Sequence, residues 1–129
     1  MSLKVLIIED NEQNMYMLTF LLRSANYEVL QAYNGFDGIE MSLSERPDII
    51  LLDIQLPEMD GYTVASTIRE KPELAEVPMI AVTSYAMPGD REKAIESGAT
   101  GYIEKPINPD TFISQMQSFL PANLTDRTT

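Results

Sequence analysis

Short runs of large aliphatic residues alternate along this chain with segments in which apolar residues recur every three or four positions. The runs are too short for helices and are bounded by glycine, proline or polar residues, so they predict buried β-strands. These strands cover residues 5–8, 28–32, 49–52, 79–82 and 101–104. The periodic segments predict helices near residues 11–25, 35–46, 62–71, 90–96 and 109–120.

Several single residues refine this pattern. Asn11 is expected to open the first helix, and Asn26 to end it in a left-handed conformation. Phe36, Ile39 and Leu43 have the spacing of one apolar helix face, which we expect to point inward. The strand at 28–32 is less apolar than the others, which is typical of a sheet edge.

Five strands alternating with five helices form a (βα)₅ repeat, which predicts an α/β fold. Helical crossovers between successive strands require a parallel sheet with helices on both faces. Five strands are too few for a closed eight-stranded barrel, so we expect an open, doubly wound sheet with the flavodoxin-like strand order 2-1-3-4-5. The pattern predicts one domain over residues 1–120 and a flexible C-terminal tail at 121–129.

Composition narrows the class of protein. The chain has 129 residues, of which 44% are hydrophobic and 22% charged, as expected for one globular domain. No apolar run approaches the length of a membrane span, and the formal net charge of −11 disfavours nucleic acid and anionic membrane surfaces. The chain has no cysteine, which fits a reducing cytoplasm, so we expect a cytoplasmic protein.

The chemistry expected of the chain is concentrated where four strands end. Glu9 and Asp10 follow the first strand, Asp53 the third, Thr83 the fourth and Lys105 the fifth. In a parallel sheet these ends share one edge, which is where open α/β sheets bind ligands. Crowded carboxylates favour a hard divalent ion such as Mg²⁺, while a hydroxyl and an ammonium suit phosphate oxygens. The set predicts phosphoryl transfer to Asp53.

Each of these residues also has an ordinary structural explanation when it is taken alone. Glu9 and Asp10 could interact with a helix dipole, and Thr83 is common in strands. Tyr102 on the fifth strand could be a core aromatic residue, and Lys105 before Pro106 could be an exposed turn residue. It is the combination at four strand ends, in this order, that favours the phosphoryl-transfer interpretation.

These motifs together resemble the receiver domain of two-component response regulators, over roughly residues 3–120. The matching segments are the acidic pair Glu9-Asp10, Asp53 with the following Leu56-Pro57-Glu58-Met59-Asp60-Gly61, Thr83-Ser84 and Lys105-Pro106. The resemblance implies that Asp53 accepts a phosphoryl group from a histidine of a sensor histidine kinase or a histidine phosphotransfer protein. It implies a phosphorylated signalling switch rather than a turnover enzyme.

The resemblance also assigns roles at the metal site. Asp10 and Asp53 are expected to bind Mg²⁺ directly, together with the backbone carbonyl of Gln55, and Glu9 is expected to act through water. Glu9 stands where aspartate is more frequent in the family, so direct and water-mediated coordination both remain open for it.

Further roles follow for the residues around the phosphoryl group. Thr83 and Lys105 would hold its oxygens, and the Lys105–Pro106 peptide bond is expected to be cis. Thr83 and Tyr102 would form the switch that alters the surface seen by a partner. Ser84 replaces the usual alanine or glycine.

The lifetime and the output of the phosphorylated form follow from the same resemblance. Gln55 and Tyr85 hold positions that tune how long the acyl phosphate lasts. We expect a stand-alone regulator or the receiver of a hybrid histidine kinase, contacting a downstream protein through its fourth helix, fifth strand and fifth helix. Two alternatives are an aspartate-nucleophile phosphatase, whose DxD pattern Asp53-Ile54-Gln55 lacks, and a degenerate receiver, against which the intact set argues.

Overall fold

The computed structural model describes residues 2–84 and 88–127, with side chains up to residue 124. Five strands and six α-helices follow one another in this part of the chain, with a short 3₁₀ turn at Pro72–Leu74. The strands are β1 (Lys4–Ile8), β2 (Glu28–Ala32), β3 (Ile49–Asp53), β4 (Met79–Thr83) and β5 (Gly101–Glu104). The helices are α1 (Glu12–Ser24), α2 (Gly35–Glu45), α3 (Gly61–Arg69), α4 (Asp90–Glu96), α5 (Phe112–Ser118) and α6 (Ala122–Arg127).

The strands form one parallel sheet in the order β2-β1-β3-β4-β5. This confirms the predicted doubly wound α/β fold and places β2 at an edge. The central strand β3 is buried at every position, as its continuous apolar run predicts. Because all strands run the same way, their C-terminal ends lie along a single edge of the sheet.

Alternate residues of each strand point into two apolar layers on opposite faces of the sheet. Val5 and Ile7 of β1 pack in the layer with α1 and α5, whereas Leu6 and Ile8 pack in the layer with α2 and α3. A smaller third cluster lies between α3, α4 and the last two strands. Helices therefore cover both faces, and the polar strand ends are left at the rim.

Helix ends follow the local chemistry of the sequence. The side chain of Asn11 accepts a hydrogen bond from the Asn14 N–H and caps α1, and Asn34 and Asp60 cap α2 and α3 in the same way. Asn26 has φ of +69°, which confirms the predicted left-handed stop after α1. Among the described residues, no helix is long and apolar enough to cross a membrane.

Three details differ from the sequence-based expectations. Phe36 is 55% exposed, because the buried face of α2 is formed by small residues that let the helix lie close to the sheet. The helix α5 begins at Phe112, after a turn. In place of a frayed tail after residue 120, Ala122–Arg127 forms α6 and Leu124 is buried in the core, while residues 128–129 lie outside the described part.

Helix α3 is fixed at both of its ends. At the start, the Gly61 N–H donates to the Ile54 carbonyl at 2.8 Å. At the end, the Arg69 guanidinium donates from Nε to the Gly98 carbonyl and from Nη1 to the Leu74 carbonyl, both at 2.8 Å. Burial lowers the pKa of Arg69 from its ordinary value. The helix α3 is therefore fixed at its start to the residue that follows β3, and at its end to the segments that precede β4 and β5.

Candidate functional site

Three carboxylates meet at the C-terminal ends of β1 and β3. Glu9, Asp10 and Asp53 each offer an oxygen, and these oxygens lie within 4.8 Å of one another. Glu9 and Asp53 are buried, with 1% and 4% exposure, whereas Asp10 faces solvent. The register of the parallel sheet brings the two strand ends side by side, because Ile8 pairs with Leu52.

Lys105 extends from the end of β5 to these carboxylates. Its Nζ lies 2.7 Å from Glu9 Oε1 and 3.5 Å from Asp53 Oδ2, and its side chain is only 10% exposed. The peptide bond between Lys105 and Pro106 is cis. The backbone N–H of Lys105 donates to the Thr83 carbonyl at 2.7 Å, which holds the start of this turn against β4.

The environment raises the pKa of Glu9 from its ordinary value of 4.5 to about 7. Desolvation by burial is the largest cause, and the negative charge of Asp53 adds to it. The hydrogen bond from Lys105 acts in the opposite direction, as does the bond from the Asn11 N–H to Glu9 Oε2 at 3.1 Å. Burial of this carboxylate therefore outweighs its favourable contacts.

The loops that follow β3 and β4 are joined above Asp53. The Gln55 N–H donates to Asp53 Oδ1 at 3.0 Å, which orients the carboxylate. The Ser84 hydroxyl donates to the Gln55 side-chain oxygen at 3.0 Å. Thr83, 3% exposed, ends β4 between Asp53 and the Lys105 turn. A backbone N–H and an ammonium thus contact one buried carboxylate.

Tyr102 lies apart from this group. It pairs in register with Ala81, and its ring packs with Tyr62 against the third apolar cluster, beneath α4. Burial raises the pKa of Tyr102, and the charges of Asp90 and Glu104 add to the shift. The structure therefore places Tyr102 beside α4. Its partner on the neighbouring strand is Ala81, and Thr83 lies two residues after Ala81 on β4.

The donor set of the acidic group suits a hard divalent cation. It consists of carboxylate oxygens from Glu9, Asp10 and Asp53, which lie close enough together to bind one ion. Oxygen ligands carrying several negative charges are those that Mg²⁺ prefers. The residues fit the expected ion by their chemistry, and the ion would relieve the repulsion between buried carboxylates.

Sequence reasoning brought together Glu9, Asp10, Asp53, Thr83 and Lys105, and the structure places all five at one rim. The sequence pattern did not predict the Ser84–Gln55 hydrogen bond, the direct contact of Lys105 with Glu9, or the packing of Tyr62 near Tyr102. These depend on loop paths and on side-chain conformations, for which strand and helix periodicity gives no signal. Tyr85, expected to tune acyl-phosphate lifetime, lies outside the described residues.

Comparison with known proteins gives a consistent result. The family model described as the response regulator receiver domain matches residues 5–117. The polar-differentiation response regulator DivK of Brucella anthropi is 41% identical over 120 residues, which cover 93% of this chain and 98% of that protein.

Solved structures agree with the sequence comparison. Vibrio cholerae chemotaxis protein CheY4 superimposes with a TM-score of 0.88 at 28% identity, covering 93% of this chain and all of that one. The receiver domain of a Pseudomonas aeruginosa sensor histidine kinase, solved with magnesium coordinated in its active-site cleft, gives a TM-score of 0.84 at 32% identity. It covers 92% of this chain and 98% of that one.

Proposed function

The chain belongs to the response regulator receiver domain family, and from that membership we propose that it is a signalling switch phosphorylated on Asp53. The donor would be a phosphohistidine of a sensor histidine kinase or of a histidine phosphotransfer protein. The domain assists its own phosphorylation and dephosphorylation but is not a turnover enzyme. Family membership supports the signalling role, and the site supports the choice of residue.

The observation that carries the proposal is the pairing of a buried nucleophile with a largely buried cation. Asp53 is 4% exposed at the end of β3, and Lys105 Nζ lies 3.5 Å from its Oδ2. An oxygen of a phosphoryl group carried on Asp53 falls within reach of that ammonium. Charge-assisted hydrogen bonds of this kind stabilise the charge on the phosphoryl oxygens.

The reaction is a phosphoryl transfer between two side chains. An Asp53 carboxylate oxygen attacks the phosphorus of the phosphohistidine, so that a P–O bond forms while the P–N bond breaks. The imidazole leaves with the electron pair and takes up a proton. Lys105 and the Thr83 hydroxyl would hold the phosphoryl oxygens, and the Gln55 N–H keeps the Asp53 carboxylate oriented.

Mg²⁺ fits this site as the cofactor. Asp10, Asp53 and the Gln55 carbonyl would hold it, with Glu9 acting through water. When bound, the ion supplies positive charge that neutralises the charge spread over the phosphoryl oxygens. The protein's own contribution is to hold the carboxylates in place, and Lys105 balances part of their charge.

Phosphorylation would change a surface through Thr83 and Tyr102. The added charge and acceptor oxygens favour movement of the Thr83 hydroxyl toward the phosphoryl group. Space beside β4 then becomes available to Tyr102, which lies one strand away. The surface of α4, β5 and α5 would present the change to a downstream protein partner. We place this signalling in the cytoplasm, without nucleic-acid or membrane binding.

Acyl-phosphate labelling tests the proposal. Wild-type protein incubated with acetyl phosphate and Mg²⁺ should gain one phosphoryl group by intact mass, and Asp53→Asn should gain none, because the amide is a poor nucleophile. Glu28→Gln is the matched control, since it removes one exposed carboxylate at the opposite end of the sheet. Multiple turnover by the wild type would instead indicate a phosphatase, and no reaction would indicate a degenerate receiver.

The switch is tested separately by Thr83→Ala. This variant should still take up the phosphoryl group but fail to move Tyr102. Fluorine labelling of the tyrosines provides the measurement, because one resonance should move on phosphorylation in the wild type and stay in place in the variant. Equal movement of the Tyr102 signal in both proteins would mean that Thr83 does not couple phosphorylation of Asp53 to the movement of Tyr102.

A further inference from the structure

Tyr62 connects the phosphorylation site to α4. It follows Gly61, whose N–H donates to the Ile54 carbonyl, so its backbone is held directly at the end of the strand that carries Asp53. No room exists at Gly61 for a side chain, since an added Cβ would collide with the backbone of Ile54. The position of Tyr62 is therefore set by the backbone that holds Asp53.

Two contacts join the Tyr62 side chain to α4. The Lys93 ammonium lies 4.4 Å from the centre of the Tyr62 ring, which is within the range of a cation–π interaction. The Tyr62 hydroxyl donates a long hydrogen bond, 3.5 Å, to Asp90 Oδ1. Both partners belong to the same short helix, one at its first residue and one a turn later. The two contacts act in the same direction and hold α4 against the start of α3.

The same ring also borders the space around Tyr102. Both tyrosines pack against a cluster of small residues that includes Ala81 and Ala94. Burial raises the pKa of each phenol, and the negative charge of Asp90 raises both further. Movement of Tyr102 inward therefore changes the surroundings of Tyr62.

The helix α4 is short, and its beginning has a glycine as cap. It has seven residues, its N-terminal cap is Gly89, and no side chain caps it. Ala94 is its one buried residue, and Ile95 is 45% exposed. A short helix with one buried residue is sensitive to the contacts that its side chains make, and the contacts of Asp90 and Lys93 with Tyr62 are among these.

We propose that Tyr62 is a coupling residue, which clamps α4 through Lys93 and Asp90 and so sets how readily the domain leaves its unphosphorylated arrangement. The proposal rests on the proposed phosphorylation of Asp53 for its signalling consequence. The clamp itself is a property of the unphosphorylated, metal-free protein. Weakening it should shift the population of α4 toward the released arrangement without altering the acceptor site.

Amide hydrogen exchange in metal-free buffer tests the clamp directly. Lys93→Met retains much of the aliphatic stem but removes the cation, and Tyr62→Phe retains the ring but removes the hydroxyl. Lys93→Met should speed exchange of the α4 amides about two- to fivefold, the range that corresponds to a cation–π contact. Tyr62→Phe should give a smaller increase. The double variant Tyr62→Leu/Lys93→Met should exchange its α4 amides only slightly faster than the single variant Tyr62→Leu. The reason is that both changes remove the same contact.

Two controls separate coupling from a general loss of stability. Lys71→Met removes a lysine that lies over no aromatic ring of the described residues, and it should leave the exchange rates of the α4 amides unchanged. Amides of β1 and β3 in the clamp variants should keep wild-type rates. Equal acceleration of strand and helix amides, or α4 rates in Lys93→Met equal to those of the wild type, would overturn the proposal.

The phosphorylated arrangement provides a second measurement. With Mg²⁺, beryllofluoride should bind Lys93→Met about two- to fivefold more tightly than wild type, since less of the energy of binding is used to release α4. Tighter binding supports the clamp and unchanged binding contradicts it. If the wild type takes up neither beryllofluoride nor a phosphoryl group, the proposed function fails, and the metal-free exchange experiment still decides whether Tyr62 clamps α4.

Discussion

Lys105 has two roles at the scale of the single residue. In the unphosphorylated protein its ammonium balances two buried carboxylates, Glu9 at 2.7 Å and Asp53 at 3.5 Å. In the proposed reaction the same ammonium meets the phosphoryl oxygens. The sequence indicated only the second role, because the position of a lysine at a strand end does not show which side chain it contacts in the resting state.

Replacing Lys105 with methionine tests both roles. In metal-free buffer at pH 8 we expect Lys105→Met to lower the free energy of unfolding by about 2–4 kcal/mol, since buried carboxylates lose their counter-charge. Mg²⁺ should bind at least as tightly as in the wild type and recover part of the loss, while phosphorylation slows. Urea unfolding with and without Mg²⁺ gives the first two results, and intact mass over time gives the third.

The matched control for that experiment is Lys71→Met. Lys71 lies in the connection after α3, and its side chain makes no described contact with the acidic residues. It should unfold and phosphorylate like the wild type. If the two variants behave alike, Lys105 is only a turn lysine.

Glu9 makes the stability of the protein depend on pH. Its pKa is about 7 in the folded protein and 4.5 as the ordinary value, so the folded state retains a proton that the unfolded state has released. This stabilisation is complete below pH 4.5 and is lost as the pH rises through 7. In metal-free buffer the wild type should lose roughly 2–4 kcal/mol over that window through Glu9 alone.

Glu9→Gln isolates the contribution, because its amide cannot titrate. Between pH 4.5 and pH 8 the free energy of unfolding, measured with urea, should fall more in the wild type than in Glu9→Gln. The same comparison with Glu28→Gln, an exposed carboxylate on β2, should show little change. A wild-type minus Glu9→Gln difference that is constant with pH would mean that Glu9 does not titrate in this range.

At the scale of elements, periodicity predicted where the strands and helices lie, but it did not predict the buried face of every helix. Ile39 and Leu43 of α2 are partly buried as expected, whereas Phe36 is exposed. The helix approaches the sheet through Gly38, so its buried stripe is defined by small residues that a hydrophobicity pattern does not mark. Likewise, Pro109 and Asp110 form a turn before α5 instead of its first residues. A proline followed by a polar residue is common both in turns and at helix starts, so the sequence does not distinguish the two.

Glycines at two helix–sheet contacts give a prediction for these elements. An alanine at Gly61 would collide with the Ile54 backbone and lie 2.7 Å from the Asp53 carbonyl, so Gly61→Ala should cost about 1–3 kcal/mol and slow phosphorylation. At Gly38 the added Cβ meets only the side chain of Ile8, which can change its conformation. Thermal unfolding and phosphorylation rates compare the two variants.

Gly38→Ala should be the milder change on both measurements. The alanine raises helix propensity by up to about 1 kcal/mol, which offsets part of the repacking around Ile8. Because Gly61 lies at the strand end that carries Asp53, its replacement alone should affect phosphorylation. A phosphorylation rate in Gly61→Ala equal to that of the wild type would show that α3 can shift without moving Asp53.

At the scale of the whole molecule, the topology was predictable because successive helical crossovers permit few arrangements. The strand order and the rim position of Asp53 and Lys105 both follow from it. Contacts between segments distant in sequence were not predictable. Arg69 is an example: its position on α3 suggests an exposed residue, yet its guanidinium contacts Leu74, Gly98 and Thr100.

Arg69→Lys should therefore destabilise the whole domain. A lysine cannot reproduce the planar set of donors that reaches two carbonyls and a hydroxyl at once, so we expect a loss of about 1–3 kcal/mol in urea unfolding. Arg23→Lys on the last turn of α1 is the matched control and should be nearly neutral. Similar midpoints for both variants would mean that the Arg69 hydrogen bonds add no net stability.

The Arg69 contacts also bear on how long the native state persists. Two of its three partners, Gly98 and Thr100, are 29 and 31 residues away along the chain. We therefore expect these bonds to form late in folding, after β4 and α4 have assembled. Interactions that form late change the rate of unfolding more than the rate of folding. In stopped-flow experiments Arg69→Lys should thus shorten the lifetime of the folded domain while refolding proceeds at nearly the wild-type rate, and slower refolding would place these contacts in the folding nucleus.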